Sequence, residues 1–287
     1  ILKSNFIVNK VKCLIRNNRD GMFHSLVSFN LILNIFVIAP QYGSTPHHAE
    51  QGGGGAPKYT LNFSEQSIRA AFVRKVFILV AIMLTTVAVM GAFPFFHKPT
   101  MQLVQGNMAI YLLGYVFFII VYFSLICCDS VRRTFPANII CLAILTVSIG
   151  LLNMVITAYY DFSSLFLCFM ITAAACGAVS LFASVTDKDL TSCMGFMLIA
   201  TFCLAMFGFL LIIISIFSLN IKFLYVVYAT FGALLFMVWL AIDIQMIMGG
   251  GRQYEISPEE HIFAAIALFL DIVQIFWFIL MIFGDRN

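Results

Sequence analysis

The stretch IFAAIALFLDIVQIFWFILMIF, residues 262–283, decides the fold: it is 22 mostly apolar residues with one carboxylate, Asp271, near the middle. At ~1.5 Å per residue such a helix is about 33 Å long, enough to cross a bilayer core of about 30 Å. Asp271 then lies near the membrane midplane, where an ionised carboxylate costs at least ~2.5 to 3.5 kcal/mol on insertion scales. Such a group needs a partner. The apolar run before it, 223–248, holds the other acid of this kind, Asp243, in WLAIDIQMIM. The rest of the chain reads as a scaffold that holds these two carboxylates together inside the membrane.

Composition sets the class. Hydrophobic residues make up 62% of the 287 and charged residues 10%, with mean hydropathy +1.01, whereas a soluble domain carries roughly 25% charged residues. The chain therefore reads as an all-α polytopic membrane protein. Its net charge of +3 is small, and no basic stripe or RNA-binding aromatic motif accompanies it, so nucleic acid is not an expected partner. Seven of the eight cysteines (Cys127, Cys128, Cys141, Cys168, Cys176, Cys193 and Cys203) lie in or at the ends of apolar runs. Without CxxC or His/Cys spacing they read as packing residues, not as a disulfide framework or a metal site.

The chain opens on Ile1, so it reads either as a fragment or as a translation begun upstream of the initiator, with Met22 a candidate start. The run 26–39, 14 residues long, has the length of a signal h-region, but its flank from Met22 carries His24 and neither Lys nor Arg. Whether residues 1–40 belong to the working protein stays open at this point. The following PQYGSTPHHAEQGGGGAPKY, rich in Gly, Pro and polar residues, reads as a disordered tail, which sets a division into a tail at 1–57 and a transmembrane domain at 58–287.

In LNFSEQSIRAAFVRKV, residues 61–76, the capping-like Ser64 and mixed pattern suit an interfacial helix leading into the first span. Spans are expected at 74–96, 107–128, 137–159, 164–185, 193–217, 222–248 and 258–283, a seven-transmembrane-helix bundle with short loops. Arg69, Arg74, Lys75, Arg132, Arg133, Lys188 and Arg252 fall on the N-terminal side of these spans, and Lys98, Lys222 and Arg286 on the other. Seven against three places the N-terminus in the cytosol by the positive-inside rule. A re-entrant last helix, a reading its central charge keeps open, would reduce the count to six and return the C-terminus to the cytosol.

The loop GGGRQYEISPEEH, residues 249–261, gives a flexible glycine run, then Ser257 as N-cap, Pro258 at the first helical position and Glu260 at the third. Glu255, Glu259 and Glu260 put negative charge at one mouth of the bundle. They read either as capping and a solvated rim or as a funnel that gathers cations. Measured from that face, Asp243 is about 8 Å deep and Asp271 about 13 Å, close enough for contact between adjacent helices. Two touching carboxylates in low dielectric do not both ionise cheaply, so they share a proton, and with protons lost they become hard oxygen ligands suited to transient Ca²⁺. Gln274, three residues beyond Asp271, is placed to face the same cavity. The plainer reading is a structural hydrogen-bonded acid. Asn153, Thr157, Thr172 and Ser215 read as interhelical hydrogen-bond partners rather than ligands.

Three segments together, LLFMVWLAIDIQMIMGG, YEISPEEHIFAAIALFLDIVQIFWFILMIFG and CCDSVRRTFPANIICLAILTVSIG, closely resemble the Bax inhibitor family of transmembrane proteins, its lifeguard branch in particular, over residues 60–287. The resemblance implies a bundle whose last helix is enclosed by the other six. It also implies a pH-sensing dyad in a calcium-leak pathway at Asp243 and Asp271, and an arginine that latches the dyad, at Arg132 or Arg133. Suppression of cell death, membranes of the endoplasmic reticulum or Golgi (with the plasma membrane as a further location) and death-pathway membrane proteins as partners are implied too. The tail here is shorter than is usual in that branch.

Other classes fit less well. An intramembrane aspartyl protease also uses two acids in adjacent spans, but the GxGD motif is absent, Asp271 following Phe269 and Leu270 and Asp243 following Ala241 and Ile242. A G-protein-coupled receptor shares the helix count, yet DRY-like and NPxxY motifs are missing. The expectation is therefore a non-enzymatic, cofactor-free, pH-regulated Ca²⁺ leak, with the bilayer, Ca²⁺ and protons as its partners. The competing expectation is a non-conducting adaptor that restrains cell death by binding other proteins.

Overall fold

Each of the seven apolar runs forms a helix long enough to span a bilayer. A computed structural model describes residues 58–216, 222–250 and 252–285. The tail at 1–57 and Arg286 lie outside the described residues, as do the side chains of Ser64 and Ser215. The spanning helices are α1 (Lys58–Phe96), α3 (Met108–Cys127), α5 (Ala137–Thr157), α6 (Phe162–Val185), α7 (Met194–Ile216), α8 (Lys222–Met248) and α9 (His261–Phe283). Two short helices, α2 (Lys98–Gly106) and α4 (Asp129–Arg133), sit in the connections after α1 and α3. Among the described residues there is no strand.

Two local expectations are corrected. The stretch 61–76, read as an interfacial helix leading into a span that starts at 74, is one with that span, so the helix α1 begins at Lys58 and runs for 39 residues. No Gly or Pro interrupts residues 58–90, and an unbroken backbone ladder satisfies its own polar groups. The connection at 97–106, read as loop, contains α2, which starts after the extended His97 and has Pro in its first turn, where a missing N–H is tolerated. Other boundaries follow side-chain capping. Asn107 accepts from the Ala109 N–H at 3.0 Å to begin α3, and Asp161 accepts from the Ser163 N–H at 3.0 Å to begin α6.

The last helix is the core. Of its spanning window 67% is buried, against at most 56% in the other six, and it packs on α8, α1, α6 and α5. A helix that is apolar all round belongs inside, because no face of it needs water. Residues 262–271 are buried without interruption, which a re-entrant hairpin at the bundle edge would not give, and the span runs unbroken to Phe283. Peripheral faces carry large exposed hydrophobics such as Phe96, Leu181, Phe196 and Phe223, as lipid contact requires.

Polar side chains tie the helices together at few points. Asn153 on α5 accepts from the Trp277 indole at 3.1 Å and donates to the Val87 carbonyl at 3.4 Å, so one amide links α1, α5 and α9. Thr157 donates to the Gly91 carbonyl at 3.0 Å. Thr172, expected to bond between helices, instead donates to the Cys168 carbonyl in its own helix at 2.8 Å. That is the usual resort of a threonine hydroxyl with no neighbour in reach. Gly232 allows the close approach of α9 to α8, because a Cβ there would collide with the Phe278 ring.

Candidate functional site

Asp243 and Asp271 meet. α8 and α9 lie side by side, and the two carboxyl side chains stand within hydrogen-bonding reach of each other, the residues only 4% and 5% exposed. The connecting loop holds the start of α9 close to the end of α8. The Ile256 N–H donates to the Met246 carbonyl at 3.0 Å, returning the chain beside the last turn of α8 before α9 begins. Gly249 and Gly250 start that return with φ of +64° and +96°, a region that side chains other than glycine enter at a cost.

A carboxylate has no hydrogen to donate, so a hydrogen bond between two carboxyls contains a proton. Two carboxyls this close therefore bond to each other only while at least one of them is protonated. Asp271 Oδ2 is buried and makes no hydrogen bond. Leaving such an oxygen unmatched costs roughly 1–3 kcal/mol. Tyr122 on α3 and Cys176 on α6, both buried, lie within electrostatic range of Asp271. Gln274 is buried one turn further along α9. Among the described residues no group of three or more His, Cys, Asp or Glu gathers. Two carboxyls can coordinate a hard cation in passing but fall short of the six to eight oxygens of a resident Ca²⁺ site.

The other expected residues go elsewhere. Arg132 and Arg133 converge on Glu260: Arg132 Nε lies 2.6 Å from one oxygen of Glu260, and Arg133 reaches the other at 2.6 Å and 2.9 Å. The Arg132 guanidinium also stands over the Phe263 ring at 5.6 Å. Glu260 precedes Asp271 by eleven residues, ~16 Å along a helix. The arginines therefore lock the start of α9 and do not touch the aspartates at its centre. Ser257 is the N-cap by position but makes no side-chain capping bond, and the Glu260 side chain goes to the arginines. Glu255 pairs with Arg69 at 2.5 Å, and Glu259 alone of the three glutamates is exposed without an ion pair among the described residues.

A second polar assembly was not foreseen. Gln245, two residues past Asp243, accepts from the Leu190 N–H at 2.8 Å and donates to the Lys188 carbonyl at 3.0 Å. Arg252 donates to the carbonyls of Lys188 at 2.7 Å and Thr186 at 3.0 Å. Asp189 accepts from the Thr191 N–H at 3.0 Å, the Thr191 hydroxyl at 2.6 Å and the Gln253 N–H at 2.9 Å. Partial burial opposes its ionisation, but these donors, with the Arg252 charge, hold its carboxyl below the usual carboxylate range. The clamp fixes the α6–α7 connection against the end of the helix that carries Asp243. In the sequence only Gln245, a lone amide near the end of an apolar run, hints at a polar partner there, and nothing hints at which.

The chain is similar to known proteins over most of its length. The family described as Inhibitor of apoptosis-promoting Bax1 matches residues 69–287. Protein lifeguard 3 of Mus musculus is 33% identical over 247 residues, covering 86% of this chain and 79% of that protein. Protein lifeguard 3 of Homo sapiens is 34% identical over 226 residues, 78% and 72% of the two chains. The Golgi anti-apoptotic protein of Vaccinia virus (strain Lister) is 28% identical over 221 residues, 77% of this chain and 87% of the viral one.

Proposed function

We propose, from the premise that this chain belongs to the Bax inhibitor family, that it restrains apoptosis from within an intracellular membrane by leaking Ca²⁺ under control of the Asp243–Asp271 pair. The observation that carries this reading is the buried carboxyl–carboxyl contact at the junction of α8 with the central helix. Cell-death suppression is supported by the family's description and by the printed name of the viral relative, which also favours the Golgi. The excess of Lys and Arg on the face where α1 begins supports a cytosolic N-terminus.

The mechanism follows from proton balance. With one proton the two carboxyls bind each other and hold α8 to α9. Loss of that proton leaves two negative oxygens in contact inside low dielectric, where they separate or admit a cation. Either response shifts the packing of the one helix that most others contact. A change of one pKa unit is worth about 1.4 kcal/mol, about tenfold in an equilibrium constant, which suits a leak more than a tight gate.

A non-conducting adaptor is the second reading. It is favoured by the engagement of Glu255 and Glu260 with arginines, which leaves the rim without a strong attraction for cations. Ca²⁺ flux into liposomes bearing the full chain, measured between about pH 5 and pH 8, separates the two. Flux that varies with pH and loses that variation in both Asp243→Asn and Asp271→Asn supports the leak. Flux no greater than in empty liposomes at every pH rules it out in favour of the adaptor.

A further inference from the structure

A cavity of about 1100 Å³ opens on the flank of the bundle between α1, α6 and α8. Arg74, Phe77, Gly177, Leu181, Ile244 and Met248 form its walls. Along α1 it extends from Gln66 to Phe77, eleven residues or ~16 Å. Phe77 and Leu181 are 40% and 69% exposed, so the groove faces the surroundings of the bundle and not its centre. Its width comes from small residues on α6, and a Cβ added at Gly177 would meet nothing within 4 Å.

The charge within this groove is unbalanced. Arg69 also lines it but is neutralised by Glu255. Arg74 is exposed and has no ion pair or hydrogen bond among the described residues. Counting ~20 residues of helix back from Phe96 for a core of about 30 Å puts the membrane boundary next to Phe77, hence Arg74 at headgroup level. A slot whose inner end, at Phe77 and Gly177, meets the hydrocarbon and which carries one uncompensated guanidinium at headgroup level fits an amphiphile with an anionic head. Basic pockets between spanning helices bind such headgroups, and a guanidinium donates to phosphate through two N–H groups at once.

We propose that this groove is a binding site for one anionic phospholipid, its phosphate on Arg74 and an acyl chain along Phe77, Gly177 and Leu181. The full-length chain in detergent, titrated with phosphatidylglycerol or phosphatidylcholine and read by native mass spectrometry, tests it. Native protein should prefer the anionic lipid by about fivefold, the worth of one basic residue beside an anionic headgroup. Arg74→Gln should abolish that preference. Gly177→Leu, which fills open space on an exposed helix face, should lower occupancy by both lipids while leaving helicity and melting unchanged. Equal preference in native protein and Arg74→Gln would overturn the headgroup assignment. Unchanged occupancy in Gly177→Leu would overturn the acyl groove, and competition by inorganic phosphate would show a free-anion site instead.

Discussion

At the scale of single residues, burial separates two arginines that sequence spacing left equivalent. The side chains of Arg132 and Glu260 are 14% and 13% exposed, whereas Arg133 is 56% exposed. An exposed pair contributes about 0–1 kcal/mol, while breaking a buried one costs roughly 3–5 kcal/mol. Arg132→Gln should therefore destabilise the bundle by about 1–3 kcal/mol, and Arg133→Gln by no more than about 0.5 kcal/mol. Thermal melting in detergent checks the ordering, and equal shifts would refute it. Asn153 offers a second comparison. Asn153→Leu keeps the volume but removes the acceptor of the buried Trp277 indole, for an expected loss of about 1–3 kcal/mol. The sequence showed Asn153 as a tie between helices because an amide in an apolar run has few other uses. It could not show that Thr172 bonds within its own helix, since that depends on which neighbour comes within reach.

At the scale of elements, the clamp between the α6–α7 connection and the end of α8 carries a pH dependence. The Asp189 carboxyl is held below its usual range, so its contribution to stability is fully present above the unfolded value of about 3.9 and is lost as pH falls through the folded value. Protection of the Thr191 and Gln253 amides, the slowing of exchange relative to the intrinsic rate at the same pH, should accordingly be high at neutral pH and fall in acid. Asp189→Asn should show the lower protection at neutral pH as well. Exchange rates that do not differ between native and variant at neutral pH would remove Asp189 from the clamp. Spans were legible because each is a long apolar run that reports its own helix, whatever it packs against. The clamp was not, because it joins residues 186–191 to 245–253 through backbone carbonyls, which no side-chain pattern announces. The course of Glu260 was hidden for a related reason. Its spacing from Ser257 signals a capping box, and only the placement of α4 shows two arginines competing for the same carboxylate.

At the scale of the whole molecule, the proton proposed for the Asp243–Asp271 pair would act on the bundle through the central position of α9. α8, α1 and α6 pack extensively on it and α5 touches it, so parting Asp243 from Asp271 would disturb the common core and not one edge. A cation that occupies the deprotonated pair would restore the contact. Linkage then predicts that Ca²⁺ stabilises the protein only where the proton is absent, because a ligand of the native state raises stability by RT ln(1 + [L]/Kd). Melting of the full chain should rise with added Ca²⁺ at about pH 8 and stay unchanged at about pH 5, where the proton holds the site. With only two carboxyl ligands the binding is weak, and a rise of about 1 kcal/mol requires free Ca²⁺ at several times Kd. Asp243→Asn and Asp271→Asn each leave one carboxylate and an amide, and in both the Ca²⁺ response at the higher pH should vanish. A Ca²⁺ response that persists in both variants would locate the cation elsewhere, at Glu259 and the rim, and would detach the central carboxyl pair from ion passage while leaving its role in packing intact.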